Sequence, residues 1–208
     1  MNRQHAHVRL LTALAVAATA ACRSAGPPQR DAGADSLPTP APAPAAGSAR
    51  TAGDRVLPGL EVLVRDSLAL VRGKRVGLIT NQTAVSHTGQ HAVDLLARTP
   101  GVRLAALFGP EHGVRGTYEG GARVENQVDS ATGVPVYSLY GRTQKPTPEM
   151  LRGIDVLLFD IQDIGARPYT FVWTMALAME AAAAQRIPFI VLDRPNPITS
   201  VAQGPMMA

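Results

Sequence analysis

The sequence predicts an α/β fold, a Rossmann-like, doubly wound and mainly parallel sheet. Four near-continuous apolar runs, RVGLIT, LAALF, DVLLF and PFIVL, recur between residues 75 and 192. Runs of this kind are what a parallel sheet covered on both faces requires. Segments of helical periodicity separate them, which is the alternation that builds βαβ units. Each run also delivers polar residues at its carboxyl end: Asn81, then Glu111 and His112, then Asp160, and finally Asp193 with Arg194 and Asn196. Strand carboxyl ends share one edge of such a sheet, so these groups are expected to line one crevice.

The elements follow in chain order. Residues 59–71 carry Leu60, Leu63, Val64, Leu68 and Val71 at helical spacing, with Gly73 suited to the position just past a helix end. Residues 75–80 read as a buried strand, 90–98 as a helix stopped before Pro100, and 103–108 as the second strand. A Gly-rich polar loop spans 109–133, a length that usually signals function. VPVYSLYG offers a third strand, 148–151 one helical turn and 155–159 another strand. The longest helix is expected over 170–186, with Phe171, Met175, Met179 and Ala182 on its buried face, before a closing strand at 189–192.

The amino-terminal quarter has a different character. Arg3 and Arg9 flank the start of LLTALAVAATAA, an apolar stretch too short to span a bilayer and typical of an export signal over residues 1–21. Thr19-Ala20-Ala21-Cys22 resembles a lipoprotein processing site, where Cys22 becomes the acylated first residue, although Thr19 stands where a larger aliphatic is usual. The expected location is the cell envelope, periplasmic or membrane-anchored, with the lipid as the sole membrane contact. Cys22 is the single cysteine, so no intrachain disulfide and no cysteine-based zinc site can form. Residues 22–54, crowded with Ala and Pro, bury too little apolar surface to fold and form a tether. The folded domain is expected over 55–208. The net charge of +4 falls to +2 once Arg3 and Arg9 leave, and no basic cluster interleaved with aromatics gives a nucleic-acid footprint.

Several chemistries can be weighed on residue type and spacing. The first strand-to-helix turn, TNQTAVSHTGQ, lacks the glycine patterns that let backbone N–H groups cradle phosphates, so no nucleotide or other cofactor is expected. His87 and His91, spaced i, i+4, would share a helix face and with Glu111 and His112 offer metal ligands; the simpler reading has His87 capping the helix, and no metal is assigned. Ser138 lies in a strand with no base beside it and no nucleophile elbow around it. Carboxylates remain. Glu111 sits at a strand end between Phe108 and rigid Pro110, where partial desolvation suits a general acid, while a loop glutamate capping a helix is the plainer alternative. Asp160 and Asp163 bracket Gln162; the first competes with a role in binding backbone amides, the second with an ion pair to Arg167. Arg115, Arg167 and Arg194 are candidates to hold an anionic substrate group or to pair with nearby acids. Tyr140, Tyr169 and Trp173 offer stacking faces, with Trp173 better suited to the core.

GKRVGLITNQT, LFGPEHGVRG, GVPVYSLYG, DVLLFDIQDIGARPYTF and VLDRPNP together resemble successive signature segments of the exo-lytic β-N-acetylmuramidases of the NamZ/YbbC type, long catalogued as a domain of unknown function. The resemblance covers about residues 58–205. It implies a glycoside hydrolase that removes N-acetylmuramic acid from the non-reducing ends of peptidoglycan fragments, with a Rossmann-like catalytic domain and a smaller carboxyl-terminal domain closing the cleft. It also implies that Glu111, in GPEHG, is the catalytic acid. The second catalytic role is open among Asp160, Asp163, Asp193, Glu119 and the acetamido group of the substrate itself; Asp160 is the first choice. Asn81, His112, Arg115, Asp163, Arg167, Tyr169, Asp193, Arg194 and Asn196 are the expected substrate contacts, an arginine among them meeting the lactyl carboxylate of muramic acid. Family members continue well beyond DRPNP, whereas this chain stops at Ala208, so the smaller domain is expected to be absent and activity low. The competing function is an envelope-tethered module that binds muropeptides or sugars without cutting them.

Overall fold

The computed structural model describes residues 56–122, 125–198, 201 and 204. The expected signal segment, the tether and Cys22 lie outside the described residues. Three helices, α1 (Gly59–Asp66), α2 (Ala92–Arg98) and α3 (Phe171–Ala184), accompany six strands: β1 (Arg75–Thr80), β2 (Arg103–Gly109), β3 (Gln127–Val128), β4 (Pro135–Ser138), β5 (Val156–Asp160) and β6 (Phe189–Val191). The sheet order is β3-β4-β2-β1-β5-β6. All neighbours run parallel except β3, which pairs antiparallel with β4. From β1 the chain builds outward through β2 and β4, then crosses back to place β5 on the other side of β1. The expected doubly wound α/β fold is therefore present, and its switch point lies between β1 and β5, where Thr80 stands opposite Asp160.

Each face of the sheet buries its own cluster. On one, Leu60 and Leu63 of α1 and Val93 and Leu96 of α2 pack on Val76, Leu78, Leu107 and Leu158. On the other, Ala178, Ala181 and Ala182 of α3, with Leu151 and Ile154, cover Ile79, Phe108, Leu157 and Phe159. Leu78 and Leu158 have no exposed surface, and side chains so buried contribute about 1.5–3 kcal/mol each. Gly77 is needed in the middle of β1 because a Cβ there would lie 2.8 Å from Leu157 Cδ1. The amino end of α1 is tied to the chain after β6: Gly59 N–H donates to the Asp193 carbonyl at 2.7 Å, and a Cβ on Gly59 would lie 2.5 Å from Asp193 N.

Several expectations need correction. The first helix stops at Asp66, and Leu68–Leu70 is a separate 3₁₀ turn, because Ser67 leaves helical geometry while its N–H still bonds Val62 and Leu63 carbonyls. Residues 148–151 do make the single turn expected, Leu151 N–H donating to the Thr147 carbonyl at 3.1 Å, and it does not propagate into a helix. The loop expected over 109–133 contains β3. In α3 the buried face is Thr174, Ala178, Ala181 and Ala182, whereas Met179 is 45% and Trp173 70% exposed. FVWTMALAMEAAAA is apolar nearly all round, so its periodicity does not select a face; its small side chains, which permit close approach, meet the sheet. Among the described residues no helix is long and apolar enough to cross a membrane.

Leu158→Ala is expected to cost about 2–5 kcal/mol as a cavity at the sheet centre, while Met179→Ala stays within about 0.5 kcal/mol. Urea unfolding of the two variants, read against the wild type, checks the first as the centre of the α1–α2 cluster and the second as an exposed position of α3.

Candidate active site

The turn after β2 gives Glu111 its position. Gly113 N–H donates to the Pro110 carbonyl at 2.9 Å, closing a four-residue turn in which Glu111 keeps a negative φ and His112 takes φ 69°. That is the pattern of a type II turn, whose third position normally demands glycine. His112 is held there from both ends: its Nδ1 pairs with the Tyr118 carbonyl at 2.9 Å, and its own carbonyl accepts from Tyr118 N–H. Strain retained by such over-determination points to function. Gly109 admits the reversal, since a Cβ there would meet Val114 N at 2.8 Å. Glu111 Oε1 accepts from Gly121 N–H at 2.9 Å, and its carboxylate acts on the Tyr140 phenol, raising that group's pKa. Pro110, Glu111, Leu139, Tyr140, Gln144, Thr170, Trp173, Thr174 and Leu177 enclose a hollow of about 300 Å³. The indole expected in the core instead lines this opening. Neither Asp160 nor Asp193 does.

The edge at the switch point is laced shut. Asp160 has no exposed surface, and both its oxygens are held by Arg194, Nε to Oδ1 at 2.5 Å and Nη2 to Oδ2 at 3.1 Å. Burial pushes the Asp160 carboxyl up while the guanidinium pulls it down. Arg194 also donates to the Val85 carbonyl at 3.0 Å. Thr83 is a hub that sequence reasoning missed. Its hydroxyl donates to Asn81 Oδ1 at 2.5 Å and accepts from Gln162 N–H at 2.9 Å, joining the chain after β1 to that after β5. Gln162 Nε2 reaches the Asp163 and Pro195 carbonyls. The signal was a threonine two residues after an asparagine at a strand end, the arrangement of a side-chain turn. Among the described residues Asn81 Nδ2 and Asp163 Oδ2 are buried without hydrogen-bond partners, an unmade pairing that costs about 1–3 kcal/mol per group.

Other candidates divide in the same way. Arg115 is committed: Nε and Nη2 donate to Asp129, and Nη1 and Nη2 donate to Asp94, four bonds of 2.9–3.0 Å that raise its pKa and hold both carboxyls below their ordinary range. Arg115 and Arg194 thus serve as structural partners of acids, one of the alternatives their sequence left open. Asp163 Oδ1 caps Gly165 N–H, and among the described residues no ion pair joins Asp163 to Arg167, which is exposed. Asp193 is exposed, as is Tyr169, whose ring meets Phe171 edge-on. Asn196 Oδ1 accepts from Ile198 N–H, and its amide lies against Gly165, where a Cβ would come within 2.4 Å. Ser138 Oγ is spent on Tyr140 O.

The two spaced histidines do not converge. His87 Nδ1 pairs with Glu61 at 2.6 Å, so His87 is not the cap of α2. That role belongs to His91, whose Nδ1 accepts from Val93 N–H while Nε2 donates to the Asn81 carbonyl at 2.9 Å. An accepting Nδ1 requires the neutral ring, and burial lowers the His91 pKa. Among the described residues no group of three or more His, Cys, Asp or Glu side chains could hold a metal ion.

The family model described as exo-β-N-acetylmuramidase NamZ, N-terminal, matches residues 76–208. The chain belongs to this family. The resemblance carried by the five motifs is therefore confirmed. The peptidoglycan β-N-acetylmuramidase NamZ of Bacillus subtilis (strain 168) is 55% identical over 143 residues, which are 69% of this chain and 34% of that protein. Two crystal structures of DUF1343 family proteins from Bacteroides fragilis NCTC 9343 also match. One has a TM-score of 0.65 at 54% identity, covering 70% of this chain and 36% of its own; the other has 0.57 at 34% identity, covering 69% and 36%. The chain thus spans about a third of the length of these NamZ-family relatives.

Two outcomes test the braced edge. Because the folded pKa of His91 lies below its ordinary 6.5, the unfolded chain binds the proton more readily, so stability is full above that pH and falls as pH drops below it. His91→Asn, which keeps a capping acceptor, should flatten the dependence of the urea midpoint between about pH 5 and 6.5. Separately, Arg194→Met should cost about 3–5 kcal/mol by stranding a buried carboxylate, and adding Asp160→Asn should recover much of it. A double-mutant cycle measures that coupling.

Proposed function

We propose that this domain is the acid-bearing part of a glycoside hydrolase that releases N-acetylmuramic acid from the non-reducing ends of peptidoglycan fragments. One observation carries the reading: a carboxylate on a strained, over-determined turn faces a hollow that also offers a tyrosine hydroxyl and an exposed indole. Sugars present apolar ring faces that stack on aromatic side chains and hydroxyls that need polar partners. Trp173 supplies the first; Tyr140, Gln144 and Thr170 supply the second. The identity to the Bacillus peptidoglycan β-N-acetylmuramidase supports the substrate class.

In this mechanism Glu111 is the general acid. With Oε1 anchored by Gly121 N–H, Oε2 carries the proton to the glycosidic oxygen as the bond from that oxygen to the anomeric carbon breaks, its electron pair leaving with the oxygen. Water then adds to the anomeric carbon and returns a proton to Glu111. Asp160, the first choice for the second group, is better cast as a positioning residue, since both its oxygens belong to Arg194. No other carboxylate among the described residues lines the hollow. The oxocarbenium-like centre is then met by the substrate acetamido group or by a residue from the length that the relatives carry beyond this match. Export and acylation at Cys22 would set this chemistry beside its polymer.

The test uses this chain and a chimera that adds the remaining sequence of the Bacillus relative, assayed for release of muramic acid from a chromogenic muramide. The chain alone should turn over little and the chimera well, while Glu111→Gln in the chimera should lower kcat by about 10²–10⁴. Hydrolysis unchanged by Glu111→Gln overturns the mechanism. Calorimetric binding of the muramide without product would favour the tethered binding module.

A further inference from the structure

We propose that a second hollow, beside the one holding Glu111, is a carboxylate subsite whose recognition group is Arg142. It takes the acidic substituent of the sugar held against Trp173, and it rests on the glycosidase reading given above. This hollow, about 510 Å³, is lined by Glu125, Asn126, Ser138, Tyr140, Arg142, Thr143, Thr147 and Met150. Tyr140 lines both hollows, so they adjoin along one side chain. A sugar placed with its glycosidic oxygen at Glu111 can therefore send a ring substituent past Tyr140 into the larger space.

The charges favour this assignment. Arg115 and Arg194 are saturated by acids, and Lys145 is paired with Glu180. Arg142 is the cation among the described residues lining the two hollows, and it makes no ion pair with any of them. A neutral donor stands with it. Asn126 spends its Oδ1 on Ser138 N–H, and its amide N–H₂ has no hydrogen-bond partner among the described residues. Thr147 does not compete for the ligand: its Oγ1 accepts from Met150 N–H, and its hydroxyl serves the Glu149 carboxylate, whose pKa is lowered by Glu149's own backbone N–H and by this hydroxyl. A planar guanidinium with an amide on the same wall suits a carboxylate, which takes two parallel N–H bonds from the fork and a further bond on a remaining lone pair. Ser138 and Thr143 do not compete, because their hydroxyls close local turns to Tyr140 and Lys145.

Muramic acid differs from glucosamine by such a substituent, a lactyl ether bearing one carboxylate. NMR titration of this chain with N-acetylmuramic acid and with N-acetylglucosamine reads the discrimination directly. The wild type should bind the first about tenfold more tightly, the worth of one charge-assisted pair. Arg142→Gln should bind both alike, and Arg142→Lys should keep part of the preference; Arg142 is exposed, so the fold is unaffected. A preference that survives Arg142→Gln, or its absence in the wild type, overturns the subsite and leaves the role of Glu111 standing. Binding of neither sugar overturns both.

Discussion

A carboxylate with no exposed surface can sit at the end of β5 only because a guanidinium is buried with it. Asp160 and Arg194 satisfy each other in a bidentate pair, and the same arginine reaches across to the Val85 carbonyl. One side chain thus joins the segments that follow β1, β5 and β6. Thr83 and Gln162 repeat the linkage among the segments after β1, β5 and β6. Pairs of this kind gain little over apolar packing yet lose heavily when half is removed, so their effect is to fix geometry. The edge at the switch point, where open α/β sheets usually take ligands, is here occupied by the protein's own polar groups.

The opening lies to the other side, over β2 and β4. Glu111 reaches it from a turn that spends backbone strain at His112, and Tyr140 separates it from the larger space beyond. The edge therefore has a braced half and an open half. Bracing one half holds the carboxyl ends of β1 and β5 still while the loop after β2, tied down by Tyr118 and Gly121, keeps the acid aimed. Precision of that order is what proton transfer to a bound sugar needs.

Much of the fold was legible because buried parallel strands declare themselves as apolar runs. β1 falls where the pattern puts it, β2 and β6 differ by a residue at one end, and β5 is shifted by a residue at each end. Glu111 was legible as well, standing between a strand end and the Pro–Gly frame of a turn. What the sequence hid was pairing. Arg115 looks like a free cation until the fold brings Asp94 and Asp129 to it from 21 and 14 residues away. Asp160 ends β5, and Arg194, 34 residues on, lies in the segment after the adjacent β6. Trp173 was hidden for another reason: a helix apolar on every side gives no periodicity from which to choose the face that packs.

The close contact of α1 with the segment after β6 sets an order on assembly. Gly59 bonds backbone to backbone with Asp193 and leaves no room there for even a methyl group. Of the described helices, the first in the chain therefore completes its seat only once the segment after β6 has been made. Until then Leu60 and Leu63 lack Leu192 among their neighbours, and a ribosome that has passed β5 but not β6 carries a domain still open at the seat of α1.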